Sequence, residues 1–298
     1  MYSGPIIDPH HHLWDLSMGK HPWLSPSDPT VQAVAGLSQI ANNYVVEDYV
    51  RDSHDHAIVA TVHIEALWAG DPVEETRWLE TLDKSRGIAL RYVGGAALGT
   101  PKAAGIIAEQ AAFERVTGIR AILSWHPDPK KSFVSNPELG RDPAWRGDVA
   151  RLSRHRLNLE LMMYPYQADI VRELAEFHPG LQIIINHCGS PIDRDPEGMR
   201  RWRDALRTIS ACPNIAIKIS NPGAYDHDWT VDSVREVALH CIDCFGPDRA
   251  MFGTDYPVSL IQMSFDQVYD TFKTIASVLP AEDQAKLFHD TAKRFYRL

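Results

Sequence analysis

The stretch "LNLELMMY", Leu157 to Tyr164, alternates in a way that fits a strand covered on both faces. Successive side chains of a strand point to opposite sides. Leu157, Leu159, Leu161 and Met163 therefore form one wholly apolar face, and Asn158, Glu160, Met162 and Tyr164 form the other. An apolar face for helices and a mixed face for an interior is what a barrel strand needs. "IAIKIS", Ile215 to Ser220, repeats the arrangement: its isoleucines face outward, while Lys218 and Ser220 face the lumen.

Similar short runs recur along the chain. Strands are expected near Pro5–His12, Ala57–Glu65, Tyr92–Ala97, Gly118–Ser124, Leu157–Met162, Leu181–His187, Ile215–Ser220 and Arg249–Asp255. Helical periodicity separates them, as in Gln167–Phe177, where Ile170, Val171, Leu174 and Phe177 recur on one stripe. Eight βα units predict a (β/α)8 TIM barrel, one α/β domain over residues 1–298, closed by helices between Ser264 and Leu298. A doubly wound sheet is the alternative. It would usually carry a glycine-rich phosphate loop after its first strand, whereas here "IIDPHHHLWD", Ile6 to Asp15, runs into histidines.

With 44% hydrophobic and 23% charged residues, the 298-residue chain can bury a sizeable core. Its net charge of -9 argues against nucleic acid or an anionic membrane as partner. Pro5, Asp8 and the histidines interrupt any signal-peptide core, and no apolar run approaches the ~20 residues of a membrane span. The expectation is a soluble, cytoplasmic protein that binds a small molecule, with homo-oligomerisation left open. Cys188, Cys212, Cys241 and Cys244 lack a disulfide framework, and Cys241-x-x-Cys244 falls on a helical stripe with Val234, Val237, Ala238 and Phe245, so it reads as core.

Long connections rich in Pro, Gly, Trp and Asp follow several strands: Leu13–Asn43, Trp125–Asp142 and Cys188–Glu197. Loops on the C-terminal face of a barrel commonly carry its site. Strand parity brings His10, His12, Glu65, Arg120, Ser124, His187 and Asp255 to the lumen near that mouth, with His11 on the opposite face as a surface residue. Burying such groups unpartnered costs on the order of 1–3 kcal/mol each, so seven at one end call for a function. His63 points with Glu65 but a layer deeper. Arg120 and Lys218 either pair with Glu160 and Glu65 or hold an anionic substrate, and Tyr164, Trp14, Trp125 and Tyr256 either pack or line a pocket.

Taken together, "IIDPHHHLWDL", "GIRAIL", "NHCGSP", "IAIKIS" and "MFGTDYPV" resemble the amidohydrolase superfamily across essentially the whole chain. The likeness is to the branch containing sugar lactonases and 2-pyrone-4,6-dicarboxylate lactonase. It implies a barrel hydrolase acting on a lactone, with Asp255 as general base on water. His187, with His10 and His12, would polarise the carbonyl or bind metal. Arg120 and Lys218 would anchor the substrate, beside Tyr164, Glu65 and Ser124. The chain departs from the superfamily pattern in having no lysine at the end of its fourth strand and no histidine on its fifth. Either no metal is expected, or one divalent ion, zinc by preference, on His10, His12 and Asp255 with Glu65 nearby. A zinc-dependent decarboxylase of the same superfamily and a non-catalytic binding barrel are the alternatives.

Overall fold

The computed structural model describes every residue except 26, 29, 30 and 32–34, so part of the Leu13–Asn43 connection lies outside the described residues. Eight parallel strands pair in chain order: β1 (Ile6–His11), β2 (Ile58–Ile64), β3 (Arg91–Gly95), β4 (Val116–Ile122), β5 (Asn158–Met162), β6 (Ile183–Ile185), β7 (Ile215–Ser220) and β8 (Ala250–Gly253). The seam between β8 and β1 closes just beyond the end of β8. There Asp255 donates its backbone N–H to the His10 carbonyl at 2.7 Å, and His12 donates to the Tyr256 carbonyl at 2.8 Å.

Around the barrel lie α1 (Val46–Asp52), α2 (Val73–Thr81), α3 (Ala103–Ala111), α4 (Pro143–Arg154), α5 (Ala168–Phe177), α6 (Pro196–Ser210), α7 (Val231–Phe245) and α8 (Phe265–Ala276). Two short helices, α9 (Ala281–Ala285) and α10 (Thr291–Tyr296), end the chain. Local chemistry starts several of them. Asp142 and Asp195 accept backbone N–H bonds at the starts of α4 and α6, each followed by a proline that has no N–H to satisfy. On α5 the predicted stripe buries Ile170, Val171 and Leu174, but Phe177, at the last turn, is 73% exposed. No described helix is long and apolar enough to cross a membrane. All four cysteines are free; on α7 Cys241 is buried as the core reading expects, whereas Cys244 is only partly buried.

Two apolar clusters result. Leu157, Leu159, Leu161 and the β7 isoleucines pack into the helix-side core. Ile7, Val62, Val93, Ile184, Ala216 and Met251 fill the lower lumen with Phe295 and Tyr296. The C-terminal segment thus plugs the bottom of the barrel: Asn158, at the start of β5, donates to the Phe295 carbonyl at 3.0 Å. Function is left to the other end.

Two strands depart from simple alternation. In β1 the register slips between Asp8 and His11, and such a bulge resets which side chains face inward. Ile7 sits in the lumen cluster and Asp8 points outward. Asp8 accepts hydrogen bonds from Tyr49 Oη (2.8 Å), Thr254 Oγ1 (2.6 Å) and Thr254 N (3.0 Å), clamping the seam. His11 is not a surface residue: it is fully buried, with Nε2 2.7 Å from Thr61 Oγ1 and its ring against Tyr49. In β2 the inward residues are Ala60, Val62 and Ile64. His63 faces the helix layer instead, 3.1 Å from Glu75 on α2, because that interface holds its own polar partner.

Candidate active site

Asp255 lies two residues past the end of β8 in a left-handed conformation (φ 59°), which turns its carboxylate into the mouth of the barrel. Oδ1 sits 3.0 Å from His12 Nε2 and 3.1 Å from His10 Nε2. Oδ2 accepts from Asn221 Nδ2 at 2.7 Å and lies 4.0 Å from His187 Nδ1. These residues come from the ends of β1, β6, β7 and β8, so one carboxylate ties together strands from half the barrel.

The imidazoles are held differently. His12 has its Nδ1 2.8 Å from the Ile64 carbonyl, which requires Nδ1 to carry the proton. Its Nε2 then meets a carboxylate oxygen lone pair to lone pair, a pairing that needs a proton or a cation between them. His10 is fully buried, and neither of its ring nitrogens has a hydrogen bond. His187 starts a run of four left-handed residues through Ser190. It pairs with Ser220 Oγ at 3.0 Å and packs its ring 4.6 Å from that of His10.

Burial is the main cause of the histidine shifts. It lowers His187 to about 4, and His10 well below the ordinary histidine value, helped by the nearby Lys218 charge. Burial alone would raise Asp255. The neighbouring His187 and His10, with the Nε2 atoms of His10 and His12 close against Oδ1, outweigh it and hold the carboxyl well below its usual value. Near neutral pH this is an ionised carboxylate with neutral imidazoles at His10 and His187.

Above the cluster opens a cavity of about 410 Å³. Its floor is made by His12, Arg120, His187, Asn221 and Asp255. Arg120 Nη1 donates to Glu65 Oε1 and to the Glu65 carbonyl, both at 3.2 Å, so Glu65 orients the guanidinium rather than forming a wall. Three of the candidate site residues lie elsewhere. Lys218 is fully buried beneath the floor and donates to Glu160 Oε2 at 2.5 Å. Tyr164 donates its hydroxyl to the Lys131 carbonyl at 2.9 Å and packs near Phe133. Ser124 is buried with its hydroxyl unpartnered. None of the three lines the cavity.

The sequence profile of the amidohydrolase family matches residues 7–298. The chain belongs to the amidohydrolase family. It is 35% identical over 294 residues to the uncharacterised protein y4mH of Sinorhizobium fredii, with 98% of each chain covered. It is 27% identical over 304 residues to an L-fucono-1,5-lactonase of Burkholderia multivorans, covering 98% of this chain and 96% of that one. A crystal structure of a zinc-bound amidohydrolase from Burkholderia multivorans superposes with a TM-score of 0.82 at 25% identity, covering 99% of this chain and all of that one.

In this amidohydrolase, one group among the described residues is arranged to hold an ion: His10, His187 and Asp255, whose ligand atoms lie within 4.8 Å of one another. The set expected from sequence had His12 in place of His187 and Glu65 nearby. Glu65 is engaged by Arg120, whereas the bond of His12 Nδ1 to the Ile64 carbonyl leaves its Nε2 turned to Asp255, beside that group. The orphaned His10 nitrogens and the unmatched His12–Asp255 contact fit a divalent cation, since neutral imidazole and carboxylate are ligands for zinc.

Sequence reasoning missed Asn221, Asp8 and Asn186. Asn221 follows the inward Ser220, so alternation sends it outward, and only its left-handed turn (φ 44°) returns it to Asp255. The sole signal was its type, because Asn tolerates that conformation better than most residues. His187 is a related case. Ile184 of β6 and Asn186 just after it take the inward positions, and the turn that follows, not strand parity, carries His187 into the site.

Proposed function

We propose that this amidohydrolase opens a lactone by hydrolysis, with Asp255 as the general base. The observation that carries the reading is Asp255 itself: an ionised, buried carboxylate anchored on both oxygens and forming part of the floor of a cavity large enough for a small ring. The name of the Burkholderia relative and the lack of a fifth-strand histidine favour a lactone over the decarboxylase alternative.

Each carboxylate oxygen can accept more than one hydrogen bond. Asp255 can therefore hold a water while Asn221 and the histidines keep the carboxylate oriented. Asp255 takes a proton as the water oxygen attacks the lactone carbonyl, and it returns that proton to the ring oxygen as the C–O bond breaks. Atoms balance as lactone plus water giving a hydroxy acid. Arg120, with its Nε unpartnered and its fork steadied by Glu65, faces the carboxylate of that product or a polar ring substituent. His187 borders the cavity with its own orientation set by Ser220. A divalent ion held by His10, His187 and Asp255 would supply Lewis acidity toward the carbonyl and lower the pKa of water.

The test is acid release from a panel of lactones, followed by pH-stat for the wild type and Asp255→Asn. Hydrolysis by the wild type that collapses in the variant supports the proposal. Wild-type turnover retained by Asp255→Asn, or no lactone cleaved by the wild type, overturns it.

A further inference from the structure

The cavity is zoned by polarity. Its floor, from strand ends, carries the polar groups with Ile122 and Met162 beside them, and its sides come from loops and are mostly apolar: Trp14, Trp23, Leu67, Phe133, Val258 and Ile261. The polar atoms of the two tryptophans are already used, since Trp14 Nε1 donates to the Asn42 carbonyl at 2.7 Å and Trp23 Nε1 to the Ala66 carbonyl at 3.1 Å. Trp23, partly exposed, presents only apolar ring surface to a guest, and the buried Trp14 backs it edge to face at 5.7 Å. Tyr225, His227 and Gln262 are the polar side chains added by loops among the described residues.

A second observation points the same way. Leu67 is 47% exposed and Phe133 is 60% exposed, both at this cavity. Leu67 is also in the left-handed region at φ 58°, a conformation that costs a leucine energy and that tends to persist where it serves a site. Two large apolar side chains held half in water beside a pocket await an apolar partner.

We infer that the substrate is a lactone whose ring carries an alkyl or aryl substituent, rather than one hydroxylated at every ring carbon. The carbonyl sits at the polar groups of the floor, and the substituent lies against Trp23, Leu67 and Phe133. A fully hydroxylated ring would place several hydroxyls against these walls and lose their hydrogen bonds to water, which opposes binding. A substituted ring instead gains about fourfold in affinity for each methylene buried. This inference rests on the lactonase reading.

The experiment uses the whole protein and two series. In the first, kcat/KM is measured for δ-lactones bearing alkyl chains of increasing length and for a polyhydroxylated δ-lactone of the same ring size. It should climb about fourfold per methylene until the cavity fills, leaving the polyhydroxylated lactone about 10²-fold or more behind the best alkyl lactone. Phe133→Ser, at an exposed position, should flatten that slope. A flat series, or a polyhydroxylated lactone cleaved best, overturns the inference while leaving lactone hydrolysis standing. In the second series, calorimetry follows binding of the ring-opened alkyl hydroxy acids and of an aldonate. Alkyl acids bound more tightly than the aldonate support the cavity's preference for an alkyl or aryl substituent even if no lactone is cleaved, in which case the lactone itself falls with the hydrolysis reading. Alkyl acids that bind no better than the aldonate overturn it.

Discussion

Two polar layers lie one above the other in the same lumen, and they are built on opposite rules. In the lower layer, Glu160 accepts from Lys218 Nζ and Tyr296 Oη at 2.5 Å each and from Asn186 Nδ2 at 2.9 Å, all out of contact with water. Both charges are matched, and Asn186 Oδ1 is the open acceptor. In the upper layer, Asp255 is anchored as firmly, yet both nitrogens of His10, Nε of Arg120 and Oδ1 of Asn221 lack partners. Buried polarity inside a barrel therefore does not by itself mark a site. Several unsatisfied groups gathered around one carboxylate at a cavity do, because each open group costs free energy that a ligand or ion can recover.

The strongest way to break this contrast is at the lower layer. Lys218→Met leaves the Glu160 carboxylate buried without its cation, which should destabilise the fold by about 3–5 kcal/mol. Adding Glu160→Gln to the same chain should restore much of the loss, and urea denaturation of the wild type and the two variants measures both effects. A stable Lys218→Met protein that had lost activity would move Lys218 into the site.

Asp255→Asn attacks the upper layer. It should lower kcat by about 10²-fold or more, equivalent to about 2.7 kcal/mol of transition-state stabilisation, with a far smaller effect on the denaturation midpoint than Lys218→Met. Steady-state kinetics and urea melts on one preparation make the comparison.

Arg120→Lys should act mainly on binding. It keeps a charge beside Glu65 but loses the fork, so KM should rise about tenfold, or 1.4 kcal/mol, with kcat little changed. A fall confined to kcat would instead place Arg120 in the chemical step.

The smallest effect is expected at a third cluster, in the loops that flank the mouth. Asp193 there accepts from Lys131 Nζ at 2.7 Å, Tyr166 Oη at 2.8 Å and His126 Nε2 at 3.1 Å. Burial raises its carboxyl, but the hydrogen bonds from Lys131, Tyr166 and His126 prevail and hold it at about 2. A carboxyl depressed on folding stabilises above its unfolded value, near 4, and that contribution disappears as pH falls toward 2. Asp193→Asn should cost on the order of 1 kcal/mol at pH 7, the scale for charges that water still reaches. Its melting temperature should converge on that of the wild type between pH 4 and pH 2. A gap that persists unchanged at pH 2 would mean that Asp193 acts through packing rather than charge.

Much of this was legible in the chain. β7 occupies Ile215–Ser220, the span its alternation predicts, and β5 presents Glu160 and Met162 inward as its pattern requires. His10, His12 and Asp255 were recognisable because charged or titratable residues stood where a plain core would place apolar ones. The errors came from assuming that polar faces look inward and that alternation continues past a strand's end. β2 breaks the first assumption, since Thr61 and His63 find partners in the helix layer. β6 and β8 break the second, since left-handed residues after each strand aim His187 and Asp255.

The order of strands, the barrel and the residue types able to do chemistry at its mouth follow from the sequence alone, because periodicity and composition are local properties written residue by residue. Which of those residues meet is another matter. That Lys218 closes on Glu160 below the floor while His187 reaches Asp255 above it was decided by the β1 bulge, the left-handed turns and the closure of β8 on β1. Those are set by packing and hydrogen-bond satisfaction across strands distant in the chain, where a shift of one residue exchanges lumen for helix layer.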